Sequence, residues 1–169
     1  MAEAATAYAV ANPAQALLTI QGLPRDHPPP YVAPGANLLW PGGRCDITTK
    51  AGDRYSKAKV VGCEAAGQGK GEVYVHRLAL IAAGRHLELS QDAAGNAIDT
   101  TQGGTHEASH LCHNRKCVNA HHIVVEEKEV NVSRNFCVRL TFPGAAAGQS
   151  VTNCTHNPPC LLVAVAGNL

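Results

Sequence analysis

The sequence predicts a small, loop-rich α+β fold stabilised by bound metal rather than by a large apolar core. Three observations lead there. The chain has 169 residues, of which 4% are aromatic and 16% charged, with 16 Gly and 10 Pro; such a composition builds a thin core that needs an external staple. Five of its seven cysteines fall within residues 112–160, in or beside which stand His110, His113, His121, His122 and His156. Short β-compatible runs between Gly-containing turns are interleaved with short helical stretches.

Several classes are set aside at the outset. No apolar run approaches the roughly 20 residues that span a bilayer. The leading segment MAEAATAYAVANPAQALL lacks a basic region and carries Pro13 inside its apolar stretch, so no secretory signal is expected and the chain reads as intracellular. An odd cysteine count in that setting argues against a disulfide framework. Thiols beside imidazoles at short spacing are what tetrahedral zinc requires.

The elements follow in order. Residues 1–41 read as an N-terminal arm: an Ala-rich helix over about 3–20, interrupted near Pro13, and then an extended segment with Pro28-Pro29-Pro30. Residues 42–169 read as the folded domain. Its first part, 42–80, is a basic β-ribbon with a local net charge of +3. The runs Tyr55–Val61 and Glu72–His76 pair across turns at Ala51-Gly52-Asp53 and Gly67–Gly71. Lys57 and Lys59 alternate, so both project from one face, and such a ribbon fits a DNA major groove. Beyond it, Leu78–Arg85 is expected as a short helix and 87–105 as loop. Ser109–Leu111 and Ile123–Val125 are expected as strands, with a helix over Glu126–Asn135. Glu126 and Glu127 at its start and Arg134 at its end complement the helix dipole. Leu161–Val165 is a last apolar strand.

The chemistry is concentrated in 105–160. Cys112 and Cys117 are separated by four residues, and Cys117 and His122 by four more; this spacing wraps three ligands around one zinc and needs a fourth from elsewhere. Cys154, His156 and Cys160 form a second group, for which Cys137 is the natural fourth ligand.

The pattern S-H-L-C-H-N-x-x-C-x-N-x-x-H from Ser109, then N-x-x-R-N-x-C from Asn131, then C-x-H-x3-C from Cys154, resembles the His-Cys box of intron-encoded homing endonucleases. These are ββα-metal, or His-Me finger, nucleases. The resemblance is strong over 108–160 and loose over 44–77. It implies a ββα-metal nuclease core in which His110 is the general base and Asn131 binds one divalent ion, Mg2+ or another, at the scissile phosphate. Asn135, one turn on, supports the site. An Arg of the ribbon contacts the phosphate, with Arg54 first and Arg77 second. The same resemblance assigns the fourth ligand of the first zinc to Cys45 rather than Cys63, giving two structural Zn2+ per chain. A neutral imidazole near pKa 6.5 is a competent base at pH 7, and Mg2+ takes oxygen ligands. The competing reading of His110 is as a zinc ligand.

Six ligating thiolates and two Zn2+ ions move the formal charge from +1 to −1, so DNA affinity must come from a localised patch. Arg44, Lys57, Lys59, Lys70, Arg115 and Lys116 supply it. The expected function is site-specific double-strand DNA cleavage of the intron-homing type. The resemblance implies a homodimer on a pseudopalindromic site, nuclear localisation and no membrane association. The alternatives are a zinc-stabilised DNA-binding protein without cleavage and a less specific monomeric nicking enzyme.

Overall fold

The computed structural model describes residues 2–26, 45–48, 55–67, 71–141, 151–162 and 165–166. Two short helices come first, α1 (Ala2–Ala11) and α2 (Pro13–Gln21). Pro13 has no N–H to continue α1 and occupies the first turn of α2, where none is needed. Asn12, between them, donates its side-chain amide to the Tyr8 carbonyl at 2.9 Å. Ala5, Ala9 and Ala16 are fully buried, and Ile20 nearly so. Side chains this small let both helices lie close against α3 (Val75–Ala82). Over residues 2–21 the expected arm is therefore built into the core; residues 27–41 lie outside the described residues.

The ribbon consists of β3 (Lys57–Lys59) and β4 (Glu72–Tyr74), antiparallel, with Ala58 opposite Val73 and both buried. From Tyr74 the chain turns directly into α3, whose first residue, Val75, donates its N–H to the Ser56 carbonyl at 2.9 Å. The helix thus starts three residues before Leu78, where the sequence suggests it. His76 and Arg77 hide the start because they read as the polar end of a strand. Gly84, at φ +76°, stops the helix before Arg85. Arg85 then donates to the carbonyls of Ala120 and Ile123 and to both oxygens of Glu88, tying α3 to the loop that carries His122. Residues 87–105 are the expected loop, apart from a 3-10 turn at His86–Leu89 and a lone antiparallel bridge between Gln91 and Ala97.

A ββα unit follows: β5 (His106–His110), β6 (Ile123–Glu127) and α4 (Lys128–Arg134). The strands pair antiparallel, with Glu107 opposite Glu126 and His110 opposite Ile123. The expected helix start at Glu126 is incorrect. Glu126 and Glu127 remain extended, and the Glu126 carboxylate accepts Nε and Nη2 of Arg134 at 2.6 Å each. Arg134 is 2% exposed, so this is a buried ion pair rather than the two separate helix-end charges expected.

Three small pairings complete the chain. β1 (Arg25–Asp26) pairs with β2 (Ile47–Thr48); β7 (Arg139–Thr141) lies between antiparallel β8 (Val151–Thr152) and parallel β9 (Val165–Ala166). The last strand thus overlaps the expected one only at Val165. Leu161 instead donates its N–H to the Leu111 carbonyl at 2.7 Å. Among the described residues no helix is long and apolar enough to cross a membrane.

If α2 belongs to the core, Ile20→Ala should lower the unfolding free energy of the zinc-loaded protein by roughly 2–5 kcal/mol. Leu18→Ala, at a site 51% exposed, should change it by less than about 0.5 kcal/mol. Equal, small effects in denaturant titrations would return α2 to the periphery.

Candidate functional site

The first cluster joins Cys45, Cys112, Cys117 and His122, whose ligand atoms all lie within 4.8 Å of one another. The backbone explains how Cys45 arrives. Thr48 donates its N–H to the Lys116 carbonyl at 3.1 Å and Val118 to the Asp46 carbonyl at 2.7 Å, an antiparallel bridge that seats Ile47 opposite Cys117. Cys63, by contrast, is 1% exposed within the apolar core and joins neither cluster. The second cluster joins Cys137, Cys154, His156 and Cys160 under the same distance limit. All seven cysteines are free of disulfides.

Both clusters fit zinc. With Zn–S bonds of about 2.3 Å and Zn–N bonds of about 2.0–2.1 Å, sulfur and nitrogen ligands of one tetrahedron stand about 3.6 Å apart. His122 Nδ1 lies 3.5 Å from Sγ of both Cys45 and Cys117. His156 Nδ1 lies 3.2 Å from Cys137 Sγ and 3.5 Å from Cys154 Sγ. Three thiols around one point cannot all carry negative charge by themselves. Hydrogen bonds from Cys112 and Cys45 hold the Cys117 thiol far below its usual range. The corresponding bonds to Cys117 and Cys45, with burial, push Cys112 far above it. Cys45 is pushed up to about 12: a lowering hydrogen bond with Cys112 is outweighed by Cys117 and burial. A dication at the centre is the charge that permits three thiolates together.

Supporting groups are in place around the second cluster. His156 Nε2 lies 2.7 Å from Ser133 Oγ, which itself donates to the Val130 carbonyl at 2.7 Å. Arg134 Nη1 donates to Cys160 Sγ at 3.4 Å and to the Pro158 carbonyl at 2.9 Å. Cys160 N–H donates to Cys154 Sγ at 3.2 Å. Such partners orient ligands and spread the thiolate charge, and two of them belong to α4.

His110 ends β5 and is 6% exposed. It is not a ligand of either cluster. Its Nε2 lies 3.0 Å from the Cys117 carbonyl. A carbonyl only accepts, so Nε2 carries the proton in the neutral ring and Nδ1 holds a lone pair. Nδ1 is buried and has no hydrogen-bond partner among the described residues. The Tyr55 ring stacks on His110 with centroids 5.7 Å apart, and His76 meets it edge-on at 5.3 Å. The Arg115 guanidinium lies 6.0 Å over Tyr55. Burial lowers the pKa of His110 against the opposing effect of the Cys117 carbonyl. His76 is held well below the usual range by burial, with His110 and Arg77 adding to it. Both rings are therefore neutral at pH 7.

Asn131 projects from α4 onto the sheet face that carries residues 107 and 109. Ser109 Oγ donates to its Oδ1 at 2.7 Å, and its Nδ2 donates to Glu107 Oε2 at 2.7 Å. Asn131 is thus fastened to the neighbour of His110, while the His110 ring lies against Tyr55 and His76.

A family model described as the zinc-binding loop region of homing endonuclease matches residues 43–168. The chain belongs to that family. Membership indicates a nuclease or DNA-binding role, and all eight residues of the two Cys3His clusters lie within the matched range. No solved structure matches the chain.

Other expected residues of this homing-endonuclease relative fall as follows. Lys57 and Lys59 are exposed on one face of β3, Lys57 Nζ resting 4.5 Å over the Tyr74 ring. Lys59 faces Glu72 across the ribbon, so that face is less basic than the count of lysines suggests. Arg115 is exposed and Lys116 half-buried. Arg44, Arg54 and Lys70 lie outside the described residues. Arg77 is committed to the 100 loop, donating to the Thr100 carbonyl and hydroxyl. Asn135 caps α4 and is exposed. Sequence reasoning missed Tyr55, His76 and Glu107. Tyr55 and His76 carry no spacing signal, because tertiary packing brings them to the strand end; Glu107 stands two residues before Ser109, where alternation alone would have found it.

Elemental analysis should find two zinc ions per chain, one in Cys117→Ser and one in Cys154→Ser. Removing both with a strong chelator should unfold the 111–122 loop, since structural zinc supplies roughly 10–16 kcal/mol of apparent binding energy in small peptides. A stoichiometry of one or none in the unaltered protein would remove the two-centre description.

Proposed function

We propose that the chain is a site-specific double-strand DNA endonuclease of the intron-homing kind. It acts as a homodimer on a pseudopalindromic site in nuclear DNA, with His110 as general base and one divalent ion at Asn131. The supporting observation is His110: a neutral imidazole whose Nε2–H is spent on the Cys117 carbonyl and whose Nδ1 lone pair has no protein partner. In the proposed reaction Nδ1 takes a proton from water as the water oxygen bonds to phosphorus. The P–O3′ bond breaks, and the leaving oxygen takes a proton from solvent water, giving a 5′-phosphate and a 3′-hydroxyl.

The remaining residues position and exclude. Tyr55 and His76 wall the imidazole and limit water access to it. The Cys117 carbonyl fixes the tautomer, as the orienting partner of a catalytic His must. Asn131 presents an amide oxygen with one lone pair taken by Ser109 and a second for a hard cation. A bound Mg2+ supplies neutralisation of charge developing on the leaving oxygen. Lys57, Lys59, Arg115 and Lys116 are the described cations for the DNA backbone, with Arg54 for the scissile phosphate.

One observation favours the second reading, DNA binding without cleavage: both ends of the Asn131 amide already have protein partners. His110→Ala separates the two. As an endonuclease, the variant should lose at least about 100-fold in Mg2+-dependent cleavage, the usual contribution of a general base, while its affinity for target DNA stays within a few-fold. Cleavage of a plasmid library followed by end sequencing, with binding by gel shift, gives both numbers. A wild-type protein that binds one sequence and cuts none would establish the second reading.

A further inference from the structure

Glu107 is outside every role assigned above, yet its carboxylate is the acceptor for Asn131 Nδ2 at 2.7 Å. The sheet register places Glu107 directly opposite Glu126. Two carboxylates facing each other across a sheet repel unless each has a partner. Glu126 has Arg134, both of whose bonds measure 2.6 Å. Glu107 is left to the amide of Asn131.

We propose that Glu107 is a positioning residue that locks the Asn131 amide and requires an amide, rather than a carboxylate, at position 131. This rests on the reading of Asn131 as the divalent-ion ligand. A carboxylate accepts and never donates, so the nitrogen of Asn131 must face Glu107 and the oxygen must face away from it. Ser109 Oγ donates to that oxygen at 2.7 Å, which agrees with the same orientation. A hydrogen bond to a charged acceptor is shorter and stronger than a neutral one, and it draws electron density through the amide toward Oδ1. The oxygen offered to a cation is thereby both fixed in direction and made more basic. Glu107 also adds negative charge close to that cation. With Asp at 131, two carboxylates would stand at hydrogen-bond distance and would share a proton or part. The surrounding elements leave this pair intact: β6 answers with Glu126 already paired, and α4 answers with Asn131 itself.

The test has a spectroscopic arm and a cleavage arm, both on the full zinc-loaded chain. In nitrogen–proton NMR spectra, one Asn131 side-chain proton should be shifted downfield and protected from exchange. Glu107→Ala should return it to the position of a solvated amide with the rest of the spectrum retained. An unchanged Asn131 signal in a folded Glu107→Ala protein overturns the lock. In Mg2+-dependent cleavage, Glu107→Ala should lower kcat about 10–100-fold with KM for DNA near the unaltered value, the range for partners of metal ligands. Asn131→Asp should be nearly inactive. Adding Glu107→Gln to it restores a donor–acceptor pair with the roles exchanged, and should recover at least tenfold. No recovery in the double variant overturns Glu107 as the source of the requirement for an amide, and this comparison decides the matter if Glu107→Ala does not fold. A wild-type protein that cuts no DNA defeats the endonuclease reading, while the NMR arm still decides whether Glu107 holds Asn131.

Discussion

Cys117 is the residue on which the rest of the site depends, because its thiol, its carbonyl and its place in the backbone each serve a different part of it. Its thiol belongs to the first cluster, its carbonyl accepts from His110 Nε2 at 3.0 Å, and its backbone stands opposite Ile47 in the bridge that delivers Cys45. The imidazole cannot be oriented independently of the metal centre, since both hang from one peptide unit. A zinc ion that fixes the 111–122 loop therefore also fixes the tautomer of His110. In a chain whose buried apolar side chains are largely alanine, valine and leucine from short elements, two tetrahedral centres do what a thick core does elsewhere.

α4 plays the corresponding part on the other side. Within seven residues it sends Asn131 to β5, Ser133 to His156 of the second cluster, and Arg134 to both Glu126 and Cys160. A helix this short is unstable alone in water; its side chains fasten it at three points. The Arg134–Glu126 pair illustrates how. Burial opposes charge on Arg134, but Glu126 and Cys160 outweigh it, so the guanidinium stays protonated. Removing either partner would leave the other charge buried without compensation. Because the same helix braces the second cluster and carries Asn131, loss of the second metal should displace the amide as well.

How much of this was legible in the residues depends on the range of the interaction. The two clusters were readable because ligand spacing is a local property: C-x4-C-x4-H and C-x-H-x3-C put donors around a point whatever the rest of the chain does. Cys45 was assigned by family resemblance, and the bridge of 46–48 to 116–118 supplies the physical reason. Pro13 was readable as a break because its ring acts on its own helix. The helix limits were less so. Val75 and Lys128 each sit where a strand passes straight into a helix, without a polar turn to mark the change, and pairing decides the boundary. The burial of α1 and α2 could not be read either. Alanine is a good helix former exposed or buried, and only the close approach to α3 shows which.

Charge placement carries the functional argument one step further. With both zinc sites filled the formal charge is −1, so a DNA-binding surface cannot arise from net charge and must be local. The ribbon is partly self-neutralised, because Glu72 faces Lys59. Arg115 is placed differently. It extends from the zinc-held loop, lies over Tyr55, and Tyr55 in turn stacks on His110. A cation in that stack is one ring removed from the imidazole, and Lys57, over Tyr74, belongs to the same group of rings through the contacts of Tyr74 with Tyr55 and His76. In the proposed reaction it would draw a phosphate toward the ring that needs it. The first metal centre thus governs the His110 ring through the Cys117 carbonyl and the Arg115 cation through the loop that holds it.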